Sequence, residues 1–200
     1  MINRRIFLEA AAASVFPAIA SAPPTGAPKQ TEVAARGALH TCLIDERYAP
    51  SRTVGERLRA AGIDVYAIPD GDVTQAWMNH VGPAWRQAPV PIAGLTALPA
   101  LFCLEQLARG CGLRVVFQAE HVVHGQRRTE HRLFRGAQAA GISTRDLSLA
   151  GPLWPARIAQ VIATHASHAG HESSGLSEAG LHPTLPPGAQ LLTSWIIGAV

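Results

Sequence analysis

The sequence predicts an α/β fold: an open, mainly parallel sheet with helices on both faces, a Rossmann-like three-layer arrangement with a C-terminal strand added. Three observations predict it. Short apolar runs that end in turn or capping residues alternate with stretches of helical periodicity. The segments joining consecutive apolar runs hold ten or more residues, the length a parallel crossover requires. Hydrophobic residues make up 48% of the 200-residue chain, enough for one sizeable core.

The elements follow in order. The apolar stretch 38–44, closing at Asp45, reads as a buried strand. Ser51 is placed to cap a helix through Ala61, with Val54, Leu58 and Ala61 on one face and Gly62 as its stop. Residues 63–68 form a second strand, ended by the turn Pro69-Asp70-Gly71-Asp72. Asp72 then caps a short helix through His80. Beyond Pro83 and Pro89, residues 90–93 make a third strand. Gly94-Leu95-Thr96 turns the chain into a long helix, Leu98 to Ala108, stopped by Gly110. Residues 113–118 are a fourth strand, and the crossovers should be right-handed. In the second half, 120–124 and 129–134 flank Gly125-Gln126-Arg127 and read as a hairpin or a strand extension. Residues 137–150 hold a short helix or loop, and Trp154 to Thr164 is helical. The Gly/Ser/His/Pro-rich stretch 166–188 reads as a mobile loop, and 190–197 closes the chain as a strand long enough to join the sheet.

The N-terminal segment carries the most specific motif. Asn3-Arg4-Arg5-Ile6-Phe7-Leu8 resembles a twin-arginine export signal, in which an arginine pair is followed one residue later by Phe-Leu. An Ala-rich run and two A-x-A arrangements follow, Ala18-Ile19-Ala20 and Ala20-Ser21-Ala22. Asn3 and Glu9 depart from the usual pattern. Cleavage after Ala20 suits the segment better than cleavage after Ala22, which would put Pro23 directly behind the cut. The run is too short and too Ala-rich to span a bilayer, which needs roughly 20 apolar residues. The domain layout is therefore residues 1–22 as signal peptide, 23–36 as flexible lead-in and 37–200 as a single α/β domain. The resemblance implies a periplasmic or cell-envelope protein that engages the twin-arginine export machinery and crosses the membrane already folded. Cargo of that route often carries a cofactor or accompanies a subunit that does. The implied partner is a larger redox subunit or a small-molecule ligand.

Composition excludes several classes. The formal net charge is +3, and the arginines are scattered apart from a cluster at Arg127-Arg128 to Arg135, interrupted by Glu130 and His131. That is too little one-sided charge for a nucleic-acid surface. No GxGxxG, P-loop or GxSxG motif occurs, so no cofactor is identified. Cys42, Cys103 and Cys111 form neither CxxC nor CxxCH. Cys103 and Cys111 sit about 12 Å apart along one expected helix, too far to bridge. Buried apolar packing is the favoured role for the three.

Candidate chemistry comes from the rule that open α/β sheets bind ligands beyond the carboxyl ends of their parallel strands. That edge should hold Asp45, Asp70, Gly94, Thr96, Glu120 and His121. Asp45, Glu120 and His121 are the catalytic candidates, a carboxylate beside an imidazole being suited to proton transfer. Asp70, Gly94, Thr96 and Trp77 are the ligand-binding candidates; the segment 94–96 before a helix offers N–H groups to an anion. His165, His168 and His171 have a spacing that suits a metal, although a solvated loop explains them as well. Two functions compete. One is an accessory or ligand-binding subunit of the cell envelope. The other is a small hydrolase or isomerase with a strand-end acid/base site.

Overall fold

A computed structural model describes residues 39–125, 128–167 and 185–199. The signal segment, the lead-in, His168, His171 and most of the loop 166–188 lie outside the described residues. The strands are β1 (Thr41–Asp45), β2 (Val65–Ile68), β3 (Ile92–Thr96), β4 (Arg114–His124), β5 (Arg128–Arg135) and β6 (Ala189–Gly198). The helices are α1 (Ala49–Ala60), α2 (74–87), α3 (Leu98–Arg109), α4 (Thr144–Leu149) and α5 (Trp154–Ser167). Among the described residues no helix is long and apolar enough to cross a membrane.

The six strands form one mixed sheet in the order β2-β1-β3-β6-β4-β5. β1 pairs in parallel with β2 and β3, whereas β3–β6, β6–β4 and β4–β5 are antiparallel. The expectation of a mainly parallel, Rossmann-like sheet is corrected accordingly. The crossover through α3 does return β4 in the direction of β1, β2 and β3, as its length demands. It leaves a space one strand wide, and β6 fills it running the other way. Gly94 is why β6 fits there. A Cβ at position 94 would lie 2.3 Å from Trp195 Cζ2 and 2.9 Å from the Leu43 carbonyl oxygen, so only glycine lets the indole lie on β3.

Helices cover both faces. On one face Cys42, Ile44, Ala93, Leu95, Leu192 and Ile196 pack against Val54 and Leu58 of α1 and Ile158 and Ile162 of α5. On the other, Leu43, Ile92, Trp195 and Ile197 pack against Trp85 of α2 and Leu101 and Leu104 of α3. The alternation of β1, β3 and β6 between two apolar cores is the signature of a sheet buried on both sides. A bulge resets that alternation in β4. Val115 pairs with Ile197 and Phe117 with Ile196, so Val116 is the extra residue. Val115 therefore joins the α2–α3 core while Phe117 and Ala119 join the α1–α5 core.

Local signals are kept in part. Gly62 ends α1 with a φ of 77°, and Ile63 donates back to the Leu58 carbonyl. Ser51 is no cap: α1 starts at Ala49, and the buried Ser51 hydroxyl donates to Leu95 O at 2.7 Å, tying α1 to β3. The helix expected to stop at His80 continues to Gln87, because the turn Trp77–Val81 widens to a π-helix and accommodates Pro83. β3 runs to Thr96 instead of stopping at 93, and β4 runs to His124 instead of 118. The segment 120–135 is a hairpin, one of the two forms expected. Cys42, Cys103 and Cys111 are all free thiols, and burial pushes Cys42 up to about 12.

Candidate functional site

The longer strands redistribute the expected site residues. Glu120 and His121 do not follow β4; they lie within it, and neighbours in a strand face opposite ways. Thr193 of β6 pairs with both Thr96 and Glu120, and Asp45 follows the Ile44–Leu95 pair by one residue. Asp45, Thr96, Thr193 and Glu120 thus make one buried polar row on the α2–α3 face. His121 faces α5 on the other side. The side-by-side acid/base pair of Glu120 and His121 is therefore corrected by the pleat.

The ligand-binding candidates fall apart similarly. Gly94 lies within β3 against Trp195, not at a helix entrance, and the residue preceding α3 is Ala97. Thr96 donates to Ala97 O at 3.0 Å and accepts from Trp195 Nε1 at 3.1 Å. Asp70 is exposed in a left-handed turn with φ 51°. Trp77 packs edge-on against Trp85, centroids 5.8 Å apart, at the margin of the α2–α3 core. His165 lies near the end of α5. Among the described residues no group of three or more His, Cys, Asp or Glu side chains could hold a metal.

A cleft of about 650 Å³ opens on the α1–α5 face at the carboxyl end of the parallel strands. The first turn of α1, the far ends of β4, β5 and β6, the end of α4 and the start of α5 enclose it. Arg47, Arg52 and Arg128 line it, together with Thr53, Thr129 and Ser148; among the described residues no Asp or Glu does. Arg47 is clamped from below: its Nε and Nη2 donate to the buried Asp45 carboxylate at 2.9 and 2.7 Å. Those bonds stabilise the guanidinium charge and hold it on the Asp45 carboxylate beside the turn at Gly71. Arg128 pairs with Glu130 at 2.9 Å. Arg52 donates to the Glu46 carbonyl oxygen and has no carboxylate partner among the described residues. The first turn of α1 contains no acidic residue, so its dipole adds to the positive field.

The wall of the cleft holds a chain of polar side chains. Ser194 Oγ lies 2.8 Å from His121 Nε2, and His121 Nδ1 lies 2.8 Å from His131 Nδ1. His121 and Ser194 are fully buried, whereas His131 borders the cleft. Trp154 stacks on the His121 ring at 4.3 Å and meets His131 edge-on at 5.4 Å. Desolvation lowers both imidazoles, His131 to about 4 and His121 well below its usual value, where the His131 charge adds to the effect. Both rings are neutral at pH 7. The cleft therefore offers guanidinium cations, hydroxyls and a neutral imidazole, a set suited to an anion with further oxygen acceptors.

Arg47, Arg52, Arg128, His131, Trp154 and Ser194 were not among the expected site residues. One signal was present for His131. In Arg128-Thr129-Glu130-His131-Arg132-Leu133 the odd positions are half-buried and the even ones exposed, a period of two that turns His131 inward. Compared with protein-family models, curated proteins and solved structures, the chain matches none.

Proposed function

We propose that this chain is an exported α/β protein whose strand-end cleft binds a small organic anion, making it a ligand-binding subunit of the cell envelope. The carrying observation is the cleft lining: three arginines and the N-terminus of α1, with Arg52 having no carboxylate partner among the described residues. A volume of about 650 Å³ fits a small molecule and is within the ordinary range for such sites. This favours a small ligand over a redox subunit as the partner. Arg52 is the principal anion contact, since Arg47 and Arg128 are each offset by a carboxylate.

Calorimetric titration of the purified protein with phosphate, citrate and 2-oxoglutarate tests the reading. At least one should bind at millimolar or lower concentration, with affinity falling as salt rises. Arg52→Gln should weaken it about 10- to 100-fold, the worth of a charge-assisted hydrogen bond. No binding to any of the three, or binding indifferent to Arg52→Gln, would overturn it.

The export reading rests on Arg4-Arg5-Ile6-Phe7-Leu8. With both arginines changed to lysine, the protein should remain in the cytoplasmic fraction of cells that export the wild type. Undiminished export of the lysine variant would refute it.

A further inference from the structure

We infer that the Ser194–His121–His131 chain holds His131 as a neutral donor with Nε2–H toward the cleft, so that the cleft selects oxo acids over the matching amino acids. The inference rests on the anion reading of the same cleft for its ligand, but not for its tautomers. Hydrogen counting carries it. With both rings neutral, the three groups own three hydrogens: one on Ser194, one on each imidazole. Two of these must occupy the two 2.8 Å contacts.

Only two arrangements do so. In the first, Ser194 O–H donates to His121 Nε2, His121 Nδ1–H donates to His131 Nδ1, and the His131 hydrogen sits on Nε2. In the second, His131 Nδ1–H donates to His121, His121 Nε2–H donates to Ser194 Oγ, and the hydroxyl hydrogen must find another acceptor. Ser194 is fully buried on β6, its cross-strand neighbours are Leu95 and Ala119, and its hydroxyl has no other hydrogen-bond partner among the described residues. The second arrangement leaves a buried donor unmet, which proteins avoid. The first satisfies every buried hydrogen and leaves only the Nε2–H to meet solvent or ligand. Trp154, stacked on His121 and edge-on to His131, restrains both rings from flipping.

The consequence is a cleft rich in donors. The arginines and His131 Nε2–H have no lone pair to offer an ammonium group. A ligand whose carboxylate meets the arginines and whose carbonyl oxygen meets His131 has every contact satisfied. The amino acid of the same carbon frame would set its N–H hydrogens against His131 Nε2–H beside cationic guanidiniums, with only the Thr53, Thr129, Ser148 and Gln190 oxygens elsewhere in the lining to accept from it.

The test has two arms, both on the full folded chain. In the first, the histidines are labelled with nitrogen-15 and long-range proton–nitrogen spectra are recorded at pH 7 without ligand. His131 should be protonated at Nε2 and His121 at Nδ1. Ser194→Ala leaves His121 Nε2 without a partner in either arrangement, so the wild-type preference for the His131 Nε2–H form should weaken. A wild-type His131 protonated at Nδ1, or charged, overturns the inference even if Ser194→Ala fails to fold. In the second arm, 2-oxoglutarate and glutamate are titrated separately. The oxo acid should bind at least 10-fold more tightly, and equal affinities overturn the selectivity. If neither binds, the ligand class falls with the anion reading, while the spectra still decide the tautomers.

Discussion

Trp195→Ala is expected to destabilise the protein by about 3–5 kcal/mol, the usual range for removing a fully buried large aromatic side chain. Trp195 is 0% exposed at the centre of β6, the strand that joins the parallel and antiparallel halves of the sheet. Its loss would open a cavity between β3 and α3 and leave Thr96 Oγ1 without the indole donor. Gly94→Ala should destabilise from the other side, by about 1–3 kcal/mol, as overpacking does. The new methyl would press on the indole at 2.3 and 2.6 Å and on the Leu43 carbonyl oxygen, which is backbone and cannot rotate away. The two changes share one contact, so they should not add. In the double variant the methyl no longer meets the indole and only the Leu43 carbonyl contact remains, so the loss should be smaller than the sum. Urea unfolding of the three variants reads all of this. A Gly94→Ala protein within 0.5 kcal/mol of wild type would show that β6 does not seat on β3 in this way.

This seam also marks where sequence reasoning stopped. The apolar runs located β1, β3, β4 and β6 because each is largely buried and holds few polar residues, and β2 because its short apolar run is half-buried at the sheet edge. Two ends were read too early: β3 at Gly94, taken for a turn before α3, and β4 at Gln118, ahead of the polar Glu120. Thr96 and Glu120 were taken for strand-end residues, yet each continues the ladder opposite Thr193. Strand order was not legible. A C-terminal strand can add at an edge or slot into a gap, and what decides is the fit of Trp195 on Gly94, a contact 101 residues apart in sequence. The cleft was legible in position but not in content. The strand-end rule pointed to the right edge of the sheet, while the pleat chose the face. His121 was named for its neighbour Glu120, but its partners are His131, ten residues away across a hairpin, and Ser194, 73 residues away. Such pairs become visible only when register is known.

His121→Ala should cost about 2–4 kcal/mol of stability, in contrast to a solvent-facing site residue, whose removal typically changes stability by less than 0.5 kcal/mol. The imidazole is fully buried against Trp154, and its loss strands both His131 Nδ1 and the Ser194 hydroxyl. The same burial makes the fold acid-sensitive. The folded-state values of both rings lie below the ordinary 6.5, His131 at about 4. The unfolded chain therefore takes up protons first. The contribution of the pair is fully present above about pH 6.5 and declines as pH falls toward the folded values. The groups that face the pair are Trp154 and Ser194, with Arg47, Arg52 and Arg128 around the cleft; desolvation is the main cause of both shifts. Each unit of separation between folded and unfolded values is worth about 1.4 kcal/mol, reduced for His131 by solvent in the cleft. Melting temperatures between pH 7 and pH 5, above the range where ordinary carboxylates titrate, isolate the effect. The wild type should lose several degrees over that interval. His121→Phe keeps a ring on Trp154 but carries no proton, so its melting temperature should fall less steeply with pH, from a lower starting point. A variant as acid-sensitive as the wild type would place the titrating group elsewhere. A His121→Ala protein as stable as the wild type would remove the buried pair from the account of the fold.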